Sequence, residues 1–518
     1  MILSSKYSTE TPKDAFHETI LKRMLQFHKN DPQKPAFIQS ETGGKISFKD
    51  LHEHCFAFAD IILLCLHNSW QFVVGCLGSW IAGLTVSPSS PQFGQFELSY
   101  QLKDSGAALI LTDQACLPVV SAVCKSNETI VCVSDSEIKG TVFFKSCLKS
   151  RPLTKCVEID RDNDLILLPY SSGTTGNPKG VMITFTNYAY MLSSYVAKYR
   201  AEYVARGFDD IVPPPIVVTF LPLYHAMGLF GMFWNIWLGS TQIMMAKFNI
   251  ERYLEHVQEY AIVTLALVPS IVIQLANSPL LDKYDLSSVF LIATGSAPLS
   301  QSVVEKLKKR LPDVLFAQGY GMTETSVASH IGSPDAPPGS IGVLMPGTQM
   351  KIVTEDGKMC GPNEEGEMWL RGPQIMKGYW KRPKETAETF DKEGFMRTGD
   401  IVYYDQNGFT FVCDRLKELI KVHGKQVPPA ELESVILELP TVQDCCVVGV
   451  EDERFGEVPR AFVVSSERNE RAIQDHVNAK VASYKRLRGG VVFVDALPRT
   501  PTGKLLRRQL REQAKSKL

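Results

Sequence analysis

Short apolar runs rich in valine, isoleucine and leucine alternate with amphipathic stretches along most of this 518-residue chain. The runs lie at 108–111, 129–133, 165–168, 216–221, 263–268 and 289–293, and one amphipathic stretch lies at 302–310. Strands that are buried on both faces and joined by helices give this pattern, because helices cover both sides of a parallel sheet. The sequence therefore predicts an α/β fold for the larger part of the chain.

From residue 339 the pattern changes to short strands separated by turn signals such as Asn407-Gly408. The strands are predicted at 347–353, 367–371, 401–404 and 409–413. After Asp414 another unit is predicted, with a helix near 430–439, strands near 445–450 and 460–464, and a last helix at 505–517. We therefore predict an amino-terminal domain over 1–414, with a β-rich part at 339–413, and a small α+β domain over 415–518.

Composition excludes several classes of protein. Hydrophobic residues make up 44% and charged residues 21%, which is normal for a globular enzyme. The net charge of -1 provides no broad positive field for nucleic acid, so any phosphate site must be local. The twelve cysteines include no Cys-x-x-Cys pair and no histidine spacing suited to zinc. Cys445 and Cys446 are predicted in a buried strand, and this cysteine usage fits a reducing compartment.

The sequence also bears on targeting and membrane insertion. Early charges at Lys6 and Lys13 leave no apolar core for a signal peptide. Residues 211–246 hold no Asp, Glu, Lys or Arg and are long enough to span a membrane. Prolines interrupt that segment, however, and a buried strand at 216–221 followed by a core helix at 228–238 is the favoured interpretation. Ser516-Lys517-Leu518 matches the tripeptide read by the peroxisomal import receptor, and a chance ending on a cytoplasmic protein is the alternative.

Residues 169–183 carry the strongest chemical signal, with the sequence Pro-Tyr-Ser-Ser-Gly-Thr-Thr-Gly-Asn-Pro-Lys-Gly-Val-Met-Ile. An apolar run leads into small hydroxyl residues and glycines, and the loop ends with Lys179. Backbone N–H groups and hydroxyls of such a loop can surround phosphate oxygens while the lysine adds a positive charge. The spacing differs from a Walker loop, and composition alone would also fit a merely flexible loop.

Four further motifs carry candidate site residues. In Gln318-Gly319-Tyr320-Gly321-Met322-Thr323-Glu324-Thr325, the ring of Tyr320 suits a purine and the carboxylate of Glu324 suits Mg²⁺. This motif is expected just after a strand at 314–317. Asp400 is expected on a strand end, where its carboxylate could accept both ribose hydroxyls. The charged segment 414–421 and the proline-stiffened loop 498–504, which presents Lys504, complete the set. Each motif alone also fits an ordinary surface segment.

Taken together and in this order, the five motifs resemble those of the AMP-forming acyl-CoA synthetases, 4-coumarate-CoA ligases and beetle luciferases. The resemblance runs from roughly residue 35 to the end of the chain. It implies a large domain of two α/β subdomains plus a small β-barrel, followed by a small mobile α+β domain. It also implies an acid–thiol ligase that uses ATP, Mg²⁺ and CoA to convert a carboxylic acid into acyl-AMP and then into acyl-CoA.

The resemblance also assigns roles to residues of this chain. ATP and AMP would contact Ser171, Ser172, Gly173, Thr174, Thr175, Gly176, Lys179, Gly295, Ser296, Ala297, Gln318, Gly319, Tyr320, Thr323, Asp400, Arg415 and Lys504. Catalysis would rest on Lys504, Glu324, His225 and Lys179, with Glu324 on the metal and Lys417 as the hinge. The acyl group would meet His225, Met227, Val327 and Ala328, and CoA would meet Lys247, Lys421, His423 and Gly424.

Some positions depart from the family pattern. A helix predicted to end near Asp60 runs straight into a strand at 61–66, where relatives have a longer connection. The chain could therefore be a shortened isoform that folds poorly, or a non-catalytic relative. His423 replaces a lysine, which puts one CoA contact in doubt. Met227 and the apolar pair Val327-Ala328 favour a lipophilic acid of medium or long chain. A luciferase-like oxygenase is the remaining alternative.

Overall fold

The computed structural model of the chain describes residues 1–57, 63–125, 128–149, 152–171, 178–207, 215–297, 299, 301–333, 335–416, 418–422, 425–452, 454–500 and 505–515. Within these ranges it contains 28 strands, which fall into six sheets. The strands are β1 (Leu3–Ser4), β2 (Pro35–Gln39), β3 (Lys45–Ser47), β4 (Leu63–Cys65), β5 (Ser87–Pro88), β6 (Leu109–Asp113), β7 (Thr129–Val133), β8 (Val142–Phe143), β9 (Leu165–Leu167), β10 (Tyr170–Ser171), β11 (Lys179–Thr184), β12 (Ile216–Thr219), β13 (Thr241–Met244), β14 (Thr264–Leu267), β15 (Leu291–Thr294), β16 (Leu315–Tyr320), β17 (His330–Ile331), β18 (Val343–Leu344), β19 (Gln349–Val353), β20 (Gly366–Arg371), β21 (Gly378–Tyr379), β22 (Met396–Tyr404), β23 (Thr410–Arg415), β24 (Ile420–Val422), β25 (Lys425–Val427), β26 (Val442–Asp452), β27 (Gly456–Ser465) and β28 (Val491–Phe493).

The α-helices of the described residues are α1 (Phe16–Asn30), α2 (Phe48–Ala57), α3 (Trp70–Ile81), α4 (Gln95–Ser105), α5 (Leu117–Val123), α6 (Phe144–Cys147), α7 (Phe185–Glu202), α8 (Ala226–Leu238), α9 (Ile250–Glu259), α10 (Pro269–Asn277), α11 (Gln301–Lys308), α12 (Pro383–Thr389), α13 (Pro429–Ile436), α14 (Glu470–Lys480) and α15 (Arg507–Lys515). Short 3₁₀ turns occur at Val204–Arg206, Pro279–Asp282, Thr323–Thr325 and Ser483–Lys485.

Two parallel arrays confirm the α/β prediction for the larger part of the chain. One sheet has the order β5-β4-β6-β7-β8, and every pairing in it is parallel. In another, β14, β15 and β16 run parallel before β17 and β18 turn back antiparallel. The strand predicted to end at 317 continues to Tyr320, so Gln318 and Gly319 lie on a strand and not after one, which corrects the prediction.

The uncharged segment 211–246 folds within the protein wherever the structure describes it. Its run of β-branched residues forms β12, which pairs in parallel with β13, and its helix α8 begins two residues before the predicted start. Leu229, Phe230 and Phe233 of that helix are buried in the main core. Among the described helices, none combines the length and apolar character that a bilayer span requires.

The β-rich part forms a five-stranded antiparallel sheet of order β1-β19-β20-β22-β23. The four strands predicted there are present, and β1 joins them from the amino terminus, with Leu3 opposite Met350. Strand β22 begins at Met396, well before the predicted 401. Asp400 therefore lies inside a strand and not at its end, contrary to the prediction, because the cross-strand hydrogen bonds continue on both sides of it.

The last unit is a five-stranded sheet covered on both faces. Strands β26 and β27 form a long hairpin, in which β27 also pairs with β24 and β28 while β26 lies at the end of the strand order. Helices α13 and α14 pack on the face that buries Cys445, while α15 packs on the face that buries Cys446. The prediction that these neighbouring cysteines belong to a buried strand is confirmed, since successive residues of a strand point to opposite faces. The boundary at Asp414 stays a prediction, with β23 ending at Arg415 and β24 beginning at Ile420.

The connection predicted to be short, before residue 61, lies within 58–62 and so falls outside the described residues. Helix α2 ends at Ala57 on one side and β4 begins at Leu63 on the other.

The main core positions the loop that carries the strongest chemical signal. Trp80 of α3 is fully buried, with its ring 5.8 Å from that of Phe16 and 5.1 Å from that of Phe233. Its Nε1 donates a 2.9 Å hydrogen bond to the carbonyl of Ile166 on β9. Since burial of a large apolar side chain contributes about 1.5–3 kcal/mol, this cluster holds β9 firmly just before residues 169–183.

Candidate active site

The phosphate-loop motif is anchored at both ends by a β-ladder. Tyr170 and Ser171 of β10 pair antiparallel with Gly180 and Lys179 of β11, so Ser171 lies directly opposite Lys179. The predicted contact residues between them, Ser172, Gly173, Thr174, Thr175 and Gly176, lie outside the described residues. The structure therefore defines the stem of the loop, and the stem places the hydroxyl and the lysine of the motif side by side.

Asp104, in the last turn of α4, is the anchor of this stem. Its Oδ2 accepts a 2.7 Å hydrogen bond from the Tyr170 hydroxyl and its Oδ1 accepts one of 3.0 Å from Arg382 Nη2. Its backbone carbonyl accepts a 3.0 Å bond from Trp380 Nε1. Burial and the Asp104 charge both raise the pKa of Tyr170, which keeps its hydroxyl protonated and able to donate.

The other end of the loop is held from the same helix. The hydroxyl of Tyr100 on α4 donates a 2.9 Å hydrogen bond to the carbonyl of Pro178, the residue before Lys179. One helix thus holds the loop on both sides. The two ends of the loop are therefore held in place by α4, independently of contacts made by the residues between them.

Glu324 lies in a 3₁₀ turn and is only 6% exposed. Its Oε1 accepts hydrogen bonds of 3.0 Å from Ser171 Oγ and 3.0 Å from the hydroxyl of Tyr379. Lys179 Nζ lies 4.8 Å from the centre of the Tyr379 ring. Burial, and after it the Glu324 charge, raises the pKa of Tyr379, so this phenol stays a donor. Three predicted residues are therefore gathered around Tyr379, which sequence reasoning did not identify.

The donor set at Glu324 fits a magnesium ion. Among the described residues, both hydrogen bonds to the carboxylate reach Oε1, which leaves Oε2 for a cation. A carboxylate oxygen combined with phosphate oxygens is the ligand set that Mg²⁺ prefers.

Asp400 lies at the centre of a second polar cluster and is only 3% exposed. It is the cross-strand partner of Arg415, whose Nε donates a 3.1 Å hydrogen bond to Asp400 Oδ1. The hydroxyl of Tyr320 donates a short hydrogen bond to Oδ2. Burial, and after it the Asp400 charge, raises the pKa of Tyr320 well above its usual value. The charged segment at 414–421 thus begins inside the site and is not a solvated helix face.

The predicted purine residues 295–297 and 318–319 lie close to the predicted acyl residue Met227. Gly295, Ser296 and Ala297 follow β15, whose Thr294 pairs with Gln318 on the next strand. A Cβ placed on Gly295 would lie 3.4 Å from the Gly319 carbonyl and 3.7 Å from Met227 Sδ, so the three segments meet closely. Ser296 adopts a left-handed φ of 74° and donates a 3.4 Å hydrogen bond to that sulfur.

The pair Val327-Ala328 packs against the same region. A Cβ on Gly321 would lie 1.9 Å from the Val327 carbonyl, which only glycine allows. Ala328 is buried and Val327 packs on the main core. The half-buried Thr323 is the first residue of the 3₁₀ turn that contains Glu324.

His225 occupies the residue before α8 and is half-buried. Its removal from water lowers its pKa to about 4, so the ring is neutral near pH 7. The turn before it is held by Asn68, whose Oδ1 accepts a 3.0 Å hydrogen bond from the Leu223 amide and whose Nδ2 donates to the Phe220 carbonyl at 3.1 Å. Asn68 is a second positioning residue that sequence reasoning missed.

Of the predicted CoA and hinge residues, the structure describes only Lys247 and Lys421. Lys247 is exposed beside a cavity of about 450 Å³ that Ser40 and Arg252 also line. Lys421 is exposed on β24, with its amide bonded to Glu457 Oε2 at 2.8 Å. Lys417, His423, Gly424 and Lys504 lie outside the described residues, and their predicted roles remain predictions.

One sequence signal could have identified Asp104. An aspartate in the last turn of a helix is disfavoured by the helix dipole, so its presence there indicates a tertiary partner. Tyr379 offers a weaker signal, which is only that it follows a glycine; the structure gives this Gly378 a φ of 146°.

Comparisons with known proteins show the family of this chain. The model of the AMP-binding enzyme family matches residues 26–380, and that of the AMP-binding enzyme C-terminal domain matches residues 431–504. The acyl-CoA synthetase 7 of Caenorhabditis elegans is 46% identical over 517 residues, which covers 96% of this chain and 95% of that protein. A 4-coumarate–CoA ligase of Pinus taeda is 37% identical over 470 residues, covering 88% of this chain and 86% of that protein.

Solved structures give the same result. ATP-bound MatB from Rhodopseudomonas palustris superposes with a TM-score of 0.84 at 27% identity, covering 96% of this chain and 99% of that one. The o-succinylbenzoate CoA synthetase of Bacillus subtilis, in complex with its acyl-adenylate intermediate, gives 0.79 at 26% identity and covers 94% of this chain and 97% of that one.

Fold and site together define an adenylate-forming ligase, an enzyme that activates a carboxylic acid with ATP and joins it to CoA. The chain belongs to the AMP-binding enzyme family.

Proposed function

We propose that this ligase acts on a lipophilic carboxylic acid of medium or long chain. The observation that carries the proposal is the position of Met227, two residues after His225, whose Sδ lies 3.4 Å from Ser296 Oγ among the predicted nucleotide residues. The apolar pair Val327-Ala328 supports it, because its backbone lies against Gly321 in the motif that carries Glu324. An acid held there would have its carboxylate near the nucleotide and its apolar part against uncharged side chains, where burial of each CH₂ contributes about 0.8 kcal/mol.

In the first half-reaction, a carboxylate oxygen of the acid attacks the α-phosphorus of ATP. The bond from that phosphorus to its bridging oxygen breaks, pyrophosphate leaves, and acyl-AMP remains. Two anions must meet in this step, so fixed positive charge is needed where negative charge builds up. We assign that positive charge to Lys179, which would contact the phosphates, and to Lys504, which would lie between the carboxylate and the α-phosphate. Asp400 would accept hydrogen bonds from the ribose hydroxyls.

Magnesium belongs to the same proposal. Glu324 Oε2 would hold Mg²⁺ together with ATP phosphate oxygens, and the ion would neutralise charge on the departing pyrophosphate. The chain's own contribution is the orientation of Glu324, because Ser171 and Tyr379 both hold the opposite oxygen. Removal of Mg²⁺ with EDTA should abolish acyl-AMP formation. Undiminished formation without a divalent ion would contradict this assignment.

In the second half-reaction, the thiol of CoA attacks the acyl carbon, the thiol proton goes to solvent, and AMP leaves. Lys504 must vacate the space that the thiol needs. We propose that the segment after Arg415 rotates about Lys417 and brings Lys421, His423 and Gly424 to the acyl group, with Lys247 contacting CoA. A few residues at such a hinge can absorb a large backbone change.

The substrate proposal is tested with purified protein and a panel of acids that differ in chain length and polarity, including 4-coumarate. Thioester formation and acid-dependent exchange between pyrophosphate and ATP are measured for each acid. Highest kcat/KM with medium or long aliphatic acids is expected. Preference for 4-coumarate would contradict the lipophilic assignment, absence of exchange with every acid would indicate a non-catalytic chain, and light with luciferin, ATP and oxygen would indicate a luciferase.

We also propose that the chain enters the peroxisome through Ser516-Lys517-Leu518, a tripeptide that the import receptor reads at a free carboxyl terminus. A fluorescent protein fused before Met1 should co-localise with a peroxisomal marker in cells. The same fusion without residues 516–518 should stay diffuse. Identical distributions of the two fusions would contradict this location and leave the ligase proposal unaffected.

A further inference from the structure

Outside the nucleotide cluster, three side chains bring metal-ligating atoms together on the first parallel sheet. His67 Nδ1 lies 2.7 Å from Asp113 Oδ2 and 4.0 Å from Cys116 Sγ. All three ligand atoms lie within 4.8 Å of one another. An imidazole nitrogen, a carboxylate oxygen and a cysteine sulfur are the ligand types that zinc takes in proteins.

The parallel pairing of β4 and β6 brings these three side chains together. Strands β4 and β6 are parallel neighbours with Cys65 opposite Thr112, so their carboxyl ends lie side by side. His67 follows the end of β4, Asp113 is the last residue of β6, and Cys116 is the residue before α5. The backbone holds the carboxylate in place, because Oδ1 accepts a 2.8 Å bond from the Cys116 amide and Oδ2 one of 2.8 Å from the His67 amide.

A nucleophilic relay does not explain the arrangement. Such a relay needs the thiol on one ring nitrogen of the histidine and the carboxylate on the other. Here the sulfur and the carboxylate approach the same nitrogen, Nδ1. That nitrogen carries at most one hydrogen, which the carboxylate at 2.7 Å takes, so the sulfur receives no hydrogen bond from the ring. The Cys116 thiol itself donates to the Pro91 carbonyl, 3.7 Å from the sulfur.

We propose that His67, Asp113 and Cys116 form a Zn²⁺ site, with water as the fourth ligand. Tetrahedral zinc would place the nitrogen about 3.4 Å from the oxygen and about 3.6 Å from the sulfur. The His67–Asp113 pair must therefore open by about 0.7 Å and the sulfur must approach by about 0.4 Å. The His67 side chain is 42% exposed and free to make this shift, while Cys116 is only 5% exposed.

Metal binding balances by release of protons. The thiol hydrogen of Cys116 goes to solvent as the sulfur takes the ion, and Nδ1 of His67 gives up its hydrogen so that the ring binds as neutral imidazole with its one hydrogen on Nε2. The ion would then tie the carboxyl ends of β4 and β6 to each other. Since a ligand that binds only the folded chain stabilises it, Zn²⁺ should raise the melting temperature of the protein.

The test uses the full chain without ATP or Mg²⁺. The protein is equilibrated with Zn²⁺, freed of unbound metal by gel filtration, and analysed for metal content by mass spectrometry. Titration with Co²⁺ gives a second readout, since a cobalt–thiolate bond produces a near-ultraviolet charge-transfer band. We expect one tightly bound ion per chain, the charge-transfer band, and a higher melting temperature with Zn²⁺.

His67→Gln is the decisive variant because the side chain is 42% exposed, which leaves room for the replacement. Loss of this ligand should weaken Zn²⁺ binding by more than the ~100-fold that loss of a second-shell partner costs. Cys132→Ser is the matched control, because Cys132 is buried on the neighbouring β7 with its sulfur on the Val133 carbonyl at 3.7 Å. That variant should bind as wild type does.

Two results overturn the site. One is a wild-type chain that retains no zinc at micromolar concentration, and the other is a His67→Gln chain that binds as tightly as wild type. If His67→Gln misfolds, Cys116→Ser serves instead, and a charge-transfer band that survives in it overturns the proposal equally. The ligase proposal stands in every case, since ATP–pyrophosphate exchange is measured separately and none of these residues belongs to the nucleotide cluster.

Discussion

The carboxylate of Asp104 accepts a 2.7 Å hydrogen bond from the hydroxyl of Tyr170, the residue that precedes Ser171 at the start of the phosphate loop. The same carboxylate binds Arg382, which follows the strand that carries Tyr379. Asp104 therefore connects the loop that offers Ser171 with the strand whose tyrosine orients Glu324. Asp104 thus sets the spacing between Ser171 and Glu324, the two groups that would contact ATP and its metal ion.

Asp104→Ala should lower kcat/KM for ATP in acyl-AMP formation by about 10–100-fold, because a displacement of about 1 Å in such a site has an effect of that size. Pyrophosphate exchange measures this step. Lys103→Ala, on the exposed side of the same helix, is the control and should behave as wild type. Equal melting temperatures with equal exchange rates in Asp104→Ala and wild type would exclude the positioning role.

Glu324→Gln should reduce the rate of acyl-AMP formation by about 10²–10³-fold, since it removes one preorganised charge from the site of phosphoryl transfer. The amide keeps the shape of the side chain, so the fold should be unaffected. Tyr379→Phe removes one hydrogen bond to Glu324 and leaves its charge, and should cost less. Rates are measured at saturating Mg²⁺, and a Glu324→Gln enzyme within threefold of wild type would rule out the metal role.

Asp400→Asn tests the ribose contact. The wild-type enzyme should prefer ATP to 2′,3′-dideoxy-ATP, and the variant should lose about 10–100-fold of that preference, because hydrogen bonds to a charged group contribute about 1.5–3 kcal/mol. The ratio of kcat/KM for the two nucleotides is the measurement. An unchanged ratio would mean that Asp400 serves only to hold Tyr320 and Arg415.

Lys504→Ala should lower the rate of acyl-AMP formation by about 10²–10³-fold, yet leave thioester synthesis from supplied acyl-AMP largely intact. The reason is that the lysine stabilises charge at the α-phosphate only in the first step. Arg508→Ala, an exposed change nearby on α15, is the control. Equal loss in both half-reactions would argue against this division between the two steps.

Buried His17 should make the fold sensitive to acid. It is only 1% exposed, and burial lowers its pKa to about 4 from 6.5. Between pH 4 and 6.5 the unfolded chain binds the proton more tightly, so the free energy of unfolding falls as the pH decreases through this range. His17→Leu should lose about 2 kcal/mol less stability than wild type between about pH 7 and 5.

Urea unfolding followed by tryptophan fluorescence measures this difference, since Phe16 beside His17 packs on Trp80. Leu25→Ala, an exposed change on the same helix α1, is the control and should keep the wild-type dependence because it removes no titratable group. A His17→Leu chain with the wild-type pH dependence would show that His17 does not remain neutral in the folded protein.

Much of the fold and part of the site could be predicted from local pattern. The runs at 129–133 and 216–221 gave strands β7 and β12, because β-branched residues favour extended backbone and the middle of each run is buried. The ends of elements were less predictable. Strand β16 runs on to Tyr320 and β22 begins early at Met396, because neighbouring strands supply hydrogen bonds that no local signal announces.

Local patterns were enough to predict the α/β class and the membership of a nucleotide-binding family. They also identified Ser171, Lys179, Glu324, Asp400 and Arg415 as candidates, since each lies in a contiguous motif. The contacts that hold these residues in place became visible only in the folded chain. Asp104 meets Tyr170 across 66 residues, Tyr379 meets Glu324 across 55, and His67 meets Asp113 across 46. Such pairs depend on which strands become neighbours, and packing of the whole chain settles that choice.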